Sequence, residues 1–244
     1  MDGILRCSLY AFGPNRLHYC GPDSNRELLS YIEQGVVDGG LETLLKGFRT
    51  MYPYLELIAR ANGIADPFDD RVVEAYWIGN DLLDGVSKRR LYRHLEEGLD
   101  LKRKLDVGGF SAVADRIGLG AVPHHSFHVL SVWKRTGNVP VAHTLESLDA
   151  CCVSWGDVIA VDGPKVEVMR EPIVEGVGGL TLGKAEKTVV LRRPDCREDI
   201  DALKPGDIVT MHWSVPCEVI TPTQAEALRR YTVRHLEMAI VPGR

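Results

Sequence analysis

The chain has 244 residues, 45% of them apolar and 26% charged, with a formal net charge of −5 and an isoelectric point near 5.9. That length is ample for a buried core in one large or two modest domains, and the proportions are ordinary for a globular protein. A mildly acidic chain with no basic-aromatic run excludes a general attraction to nucleic acid or to an anionic membrane.

No segment approaches the roughly 20 apolar residues that span a bilayer. The opening MDGILRCSLYAFGPNR has an acid at its second position and no basic leader, so a signal peptide is not expected. Six cysteines without a secretory signal point to the cytoplasm, and to thiols or metal ligands rather than disulfides.

In chain order, Gly13-Pro14-Asn15-Arg16 through Gly21-Pro22 reads as a loop, and helical patterns then dominate to about residue 150. Helices are expected over Arg26–Gln34, Leu41–Met51, Tyr54–Ala61, Asp69–Leu83, Lys88–Leu105, Phe110–Ile117, His124–Arg135 and Leu145–Ala150. Gly63, Pro53 and Gly137-Asn138 supply stops. Val72, Val73, Tyr76 and Trp77 give the Asp69 helix a core face. A boundary near Val139-Pro140-Val141 divides a helical domain, 1–140, from a second domain, 141–244.

The second domain changes period. Val153–Val161, Lys165–Arg170, Thr188–Arg192 and Ile208–His212 show β-branched residues near period two, the last after the turn Lys204-Pro205-Gly206-Asp207. The closing helix has the clearest start: Thr221 as N-cap, Pro222 at the first helical position, Gln224 as capping-box partner. Its face Ala225, Leu228, Tyr231, Thr232, Leu236 and Ala239 is expected to pack on the sheet. The fold class expected is therefore α+β: a mostly helical domain, then a small, partly open OB-like antiparallel β-barrel with a C-terminal helix.

Cys151, Gly156, Val158 and Ile159, then Pro205-Gly206-Asp207, the strand ending at His212, and Ile220 leading into the Ala225–Leu228 helix together resemble the HypC/HupF family of small [NiFe]-hydrogenase maturation chaperones. The resemblance covers about the last ninety residues. It implies that Cys151 helps hold an iron atom bearing cyanide and carbonyl ligands, with His212 close by. It also implies a hydrogenase large subunit or other maturation proteins as partners, and Trp155 and Trp213 are candidate anchors for them.

The residues add three candidate sites of their own. In Pro123-His124-His125-Ser126-Phe127-His128, His124 and His128 share a helical face at one-turn spacing, with His125 also three residues before His128, and such spacing suits one metal ion; the alternative is plain packing groups. No glutamate follows the first histidine as a zincin requires, which disfavours metalloprotease chemistry. His18 and Cys20 in Leu17-His18-Tyr19-Cys20-Gly21-Pro22 place two ligand types on one side of an extended backbone; the alternative is a turn with a buried cysteine. Among Cys151, Cys152, His212 and Cys217, strand alternation would send Cys151 and Cys152 to opposite faces, so only one can join a given site; the resemblance selects Cys151, which leaves Cys152 inside the barrel.

Thiolate with imidazole suits iron, zinc or copper(I), which agrees with the iron that the resemblance implies and leaves another transition metal open. No dinucleotide fingerprint, phosphate-loop lysine or nucleophile elbow occurs. The expectation is a carrier rather than a catalyst: a metal-centre assembly factor for hydrogenase maturation. The alternative is a metalloenzyme with His18, Cys20, His124 and His128 around one ion in the helical domain; a metal-free interaction module is the third class.

Overall fold

A computed structural model describes residues 1–105, 107–132, 139, 142, 144–192, 200 and 202–239. It is mixed helix and antiparallel sheet, with helices first, strands next and a helix last. The helices are α1 Gly3–Asn15, α2 Asn25–Gln34, α3 Gly39–Lys46, α4 Met51–Ala61, α5 Asp70–Trp77, α6 Lys88–Arg93, α7 Leu101–Lys104, α8 Val107–Gly118, α9 His125–Phe127, α10 Leu145–Cys151 and α11 Pro222–Leu236. The strands are β1 Ser154–Asp162, β2 Lys165–Arg170, β3 Ile173–Gly176, β4 Gly179–Leu182, β5 Glu186–Leu191, β6 Ile208–His212 and β7 Val215–Ile220.

α1 was expected to be a loop at its far end. Asp2 starts it by accepting from the Ile4 and Leu5 amides, and the helix runs through Gly13-Pro14 to Asn15. Proline costs a helix most in its interior; here it sits one residue from the end and almost the whole helix is buried. The Asp69–Leu83 expectation splits instead, because Gly79 turns to φ +100°. The Tyr231 ring occupies the space a side chain there would need. The Lys88–Leu105 expectation also breaks. After α6 the backbone widens into a π-turn over His94–Gly98, and Asp100 takes φ +52° before α7.

The five-stranded sheet has the order β5-β2-β1-β6-β7, and β3 pairs only with β4 as a separate hairpin. All pairings are antiparallel. The expected barrel is not closed by hydrogen bonds, since β5 and β7 are the two edges. The cause lies in β7: Cys217 and Ile220 pack into the helical core, and Glu218 pairs with Arg6 of α1. β7 is thereby tied to the helices, and although β5 and β7 come near one another no hydrogen-bonded ladder joins them. The hollow of the sheet is filled by Val158, Val166, Val168, Val190, Leu203, Val209 and Met211.

α11 begins as its sequence demands. Thr221 accepts from the Gln224 amide, the Gln224 side chain returns to the Thr221 amide, and Pro222 opens the helix. Its partners differ from the expectation. Leu228 and Tyr231 join the helical core with Leu55, Ile58, Val72 and Tyr76, while Leu236 packs with Leu148, Ile173 and Leu180. The helix therefore lies on α-helices and the β3–β4 hairpin. One apolar core draws on both sides of the boundary expected near residue 140, for it holds Val153, Cys217 and Ile220 beside Leu41 and Val73. Pro140, Val141, Gly137 and Asn138 lie outside the described residues. Among the described residues no helix is long and apolar enough to cross a membrane.

Candidate metal centre

Three elements deliver donors to one point. α10 ends on Cys151, α9 begins with His125, and β6 ends on His212. One ligand atom from each lies within 4.8 Å of the other two. The three residues are 5%, 7% and 1% exposed respectively. Around a tetrahedral ion with bonds of about 2.0 to 2.3 Å, sulfur and nitrogen donors sit about 3.5 Å apart. The cluster would contract by about 1 Å to hold one. Two imidazoles and a thiol fit zinc, iron or copper.

The ring orientations are fixed by carbonyls. His212 Nδ1–H donates to the Tyr10 carbonyl at 2.6 Å, which puts the lone pair of a neutral ring on Nε2. That carbonyl is available for a reason written in the sequence. In α1 the residue four on from Tyr10 is Pro14, which has no N–H to give it. Gly13 lets the strand come in, because a Cβ there would lie 2.3 Å from the His212 carbonyl oxygen. Gly13-Pro14 thus seats His212. Gly13→Ala is expected to cost about 1–3 kcal/mol by overpacking against backbone that cannot yield cheaply. A urea midpoint unchanged from the parent would refute that account.

His125 Nε2–H donates to the Cys151 carbonyl at 2.9 Å, so its lone pair is on Nδ1, which accepts from the Tyr76 hydroxyl at 3.2 Å and would exchange that hydroxyl for an ion on binding one. Burial holds the His125 ring well below the usual histidine pKa, with His212 adding to the effect. It is therefore neutral at pH 7, as a metal ligand must be. Trp77 lies against both imidazoles, with centroids at 4.5 Å from His125 and 5.5 Å from His212. The turn after His212 ties the site together. Trp213 N–H donates to the Ala150 carbonyl at 2.9 Å, Arg16 donates to the Trp213 carbonyl at 3.0 Å, and the Tyr19 ring sits 4.8 Å from that of Trp213. Trp213 and Ser214 both take positive φ, 52° and 61°, the pairing of a tight type I′ hairpin. For a tryptophan this backbone is costly and persists only when its surroundings enforce it.

The expected site residues fall into two groups. Cys151 and His212 are together. His124 and His128 are not part of that cluster, because His124 is not helical. It is the extended N-cap of α9, so the one-turn spacing that pairs helical residues does not apply. His124 Nδ1 takes the Ser126 hydroxyl at 2.7 Å, and burial presses its pKa to about 3. His128 faces Tyr54, whose hydroxyl is 3.4 Å from its Nδ1. His18 is half-buried and pairs with Asp23 at 2.8 Å. Cys20 is half-buried in the loop after α1. Among the described residues His18, Cys20, His124 and His128 do not gather within reach of one ion.

His125, which helical spacing pairs with His128, is instead the donor that meets Cys151 and His212. The signal available was Pro123-His124 ahead of it, an extended lead-in that makes His125 the first helical residue. Cys151 and Cys152 do not alternate on a strand. Cys151 closes α10 and Cys152 caps it, and both pack with Leu148 and Leu236 rather than inside the sheet. Trp155 and Trp213 are half-buried and pack against the apolar clusters; the exposed large apolar residues of the sheet are Ile159, Val189, Leu191 and Val219.

The fold and site define a mixed α and β protein whose helices and sheet bring His125, Cys151 and His212 together in one buried cluster. The chain belongs to the family of unknown function DUF6390, which it matches over residues 1–241. Comparison with curated proteins and with solved structures gives no match.

Proposed function

We propose that this protein is a metal carrier that holds iron through Cys151 and His212, with His125 as a third donor, and serves the assembly of a [NiFe]-hydrogenase metal centre. The observation that supports it is the convergence of three buried donors from separate elements. The resemblance to HypC/HupF chaperones in the C-terminal stretch points to the same cysteine and histidine. One further feature favours carriage over catalysis: the donors are almost wholly enclosed. A hydrogenase large subunit or another maturation protein is the partner we infer. The cytoplasm is the compartment we infer.

Anaerobic purification with metal analysis and infrared spectroscopy tests the reading. The parent protein should carry iron, with cyanide or carbonyl stretching bands where its ligands are attached. Cys151→Ala and His212→Ala should each lose at least about tenfold in metal content, as loss of a coordinating group does. An iron-free parent, or iron retained in Cys151→Ala, would sink it.

A further inference from the structure

We propose that the groove between α4 and the π-turn after α6 is a second binding site, which takes a small molecule carrying a carboxylate or a phosphate group. It stands apart from the Cys-His-His cluster and does not rest on the metal-carrier proposal. The groove has a volume of about 520 Å³. Glu56 and Arg60 line it from α4, and Arg90, Arg93, His94 and Glu97 line it from the opposite side. On both sides the residues recur at three- and four-residue intervals, so one helical face meets another.

The floor supplies a hydrogen-bond donor. His94 opens the π-turn, in which its carbonyl accepts from the Leu99 amide at 2.9 Å, and such turns recur at functional sites. The residue is 9% exposed, and its ring lies 4.5 Å from that of Tyr54. Burial presses its pKa to about 4, so the ring is neutral at pH 7 and carries one N–H. Among the described residues Nε2 is buried without a hydrogen-bond partner. A proton there would be an orphaned buried donor, which folded proteins avoid, so the tautomer with its proton on Nδ1 is favoured. Nδ1 faces Gly98, another residue of the groove wall, whose missing side chain leaves it open; a Cβ there would lie 3.0 Å away.

The rim supplies cations. Arg60 is held by Glu56 at 2.7 Å, but Arg93 reaches Glu97 only at 4.0 Å. Arg90 donates to the Ala61 carbonyl at 3.1 Å and has no carboxylate partner among the described residues. Three guanidinium groups against two carboxylates leave one positive charge in excess, and Arg90 and Arg93 keep N–H groups to give. A buried N–H beneath two loosely engaged guanidinium groups suits an oxyanion, which can accept from all three. A cationic ligand would meet like charge and a donor.

The test titrates full-length, isotope-labelled protein with inorganic phosphate and, separately, with acetate at low ionic strength. Imidazole nitrogen resonances are followed by nuclear magnetic resonance, those of His94 being identified by their loss in His94→Gln. A saturable shift of the His94 resonances is expected, and the anion that saturates at the lower concentration tells phosphate from carboxylate. Gly98→Ala, which covers Nδ1 and removes no charge, and Arg93→Gln should each weaken binding by at least about tenfold. Arg71→Gln, a change at an exposed arginine of α5 outside the groove, should leave it within about twofold. Circular dichroism of the variants guards against misfolding. His94 resonances that neither anion moves, a shift that does not saturate, an affinity unchanged in either groove variant, or an equal loss in Arg71→Gln would each overturn the site.

Discussion

Replacing Arg6 by methionine is expected to cost about 3–5 kcal/mol, a large part of the roughly 5–15 kcal/mol that holds a domain folded. Arg6 is in α1, and its side chain is 4% exposed. Its Nε donates to Glu218 at 2.9 Å, and its Nη1 reaches Asp70 at 3.1 Å and Glu74 at 3.0 Å. Burial alone would weaken the guanidinium's hold on its proton, but Glu218, Tyr10 and Asp70 more than offset it and raise Arg6 above its usual pKa. Methionine keeps much of the volume and removes the charge, so the Glu218 carboxylate, 7% exposed, is left with the Tyr10 hydroxyl at 2.6 Å and no cation. An uncompensated buried charge, rather than a lost attraction, is the source of the cost. The double change Arg6→Met with Glu218→Gln should therefore recover a substantial share, since Gln can still accept from Tyr10. Urea unfolding of the two single variants and the double variant closes the cycle. An Arg6→Met cost below about 1 kcal/mol, or no recovery in the double variant, would contradict this account. The same network carries the site: Glu218 is on β7, Tyr10 is on α1, and the Tyr10 carbonyl orients His212.

How much of this was legible in the sequence depends on whether the decisive chemistry was local. The start of α11 was legible, because a cap, a proline and a capping-box glutamine act within four residues. So were β1, β2 and β6, whose alternation is their own. The end of α1 was not, since Gly13-Pro14 has the composition of a turn. Its meaning comes from β6, which needs the missing Cβ and the carbonyl that the missing N–H leaves to His212. The open sheet was hidden for a similar reason, as no pattern within β7 reveals that its inner residues are claimed by helices. In the site, Cys151 and His212 were selected by resemblance, whereas His125 was paired with His128 because helical spacing presumes a helix. One residue of shift in the start of α9 decides which imidazole faces the cysteine.

Lowering the pH from 7 to 5 should destabilise the protein, through buried histidines outside the donor cluster. His94, at the start of the π-turn after α6, has its pKa lowered to about 4 by burial, with His128 adding to the shift. His235 on α11 is lowered well below the usual value, again by burial first, then His124 and Arg234. In the unfolded chain both titrate near 6.5. Between 6.5 and the folded value the unfolded state binds more protons than the native state. The stabilisation is therefore complete above about pH 7 and is lost as pH falls toward 4, at up to about 1.4 kcal/mol per unit for each group. For His94 the window from 6.5 to about 4 amounts to about 3 kcal/mol in all. The groups facing His94 do not reverse the sign. Tyr54 lies 4.5 Å from its ring and is held neutral by burial. Arg93 and Glu97 line the same pocket as His94, and their side chains are mostly exposed, where their fields are screened. Urea midpoints at pH 7, 6 and 5 on metal-free protein read the slope, and His94→Gln, which cannot titrate, should flatten it by the share of one proton. If parent and His94→Gln fall in parallel between pH 7 and 5, burial of that ring is not what sets the acid limit of this fold.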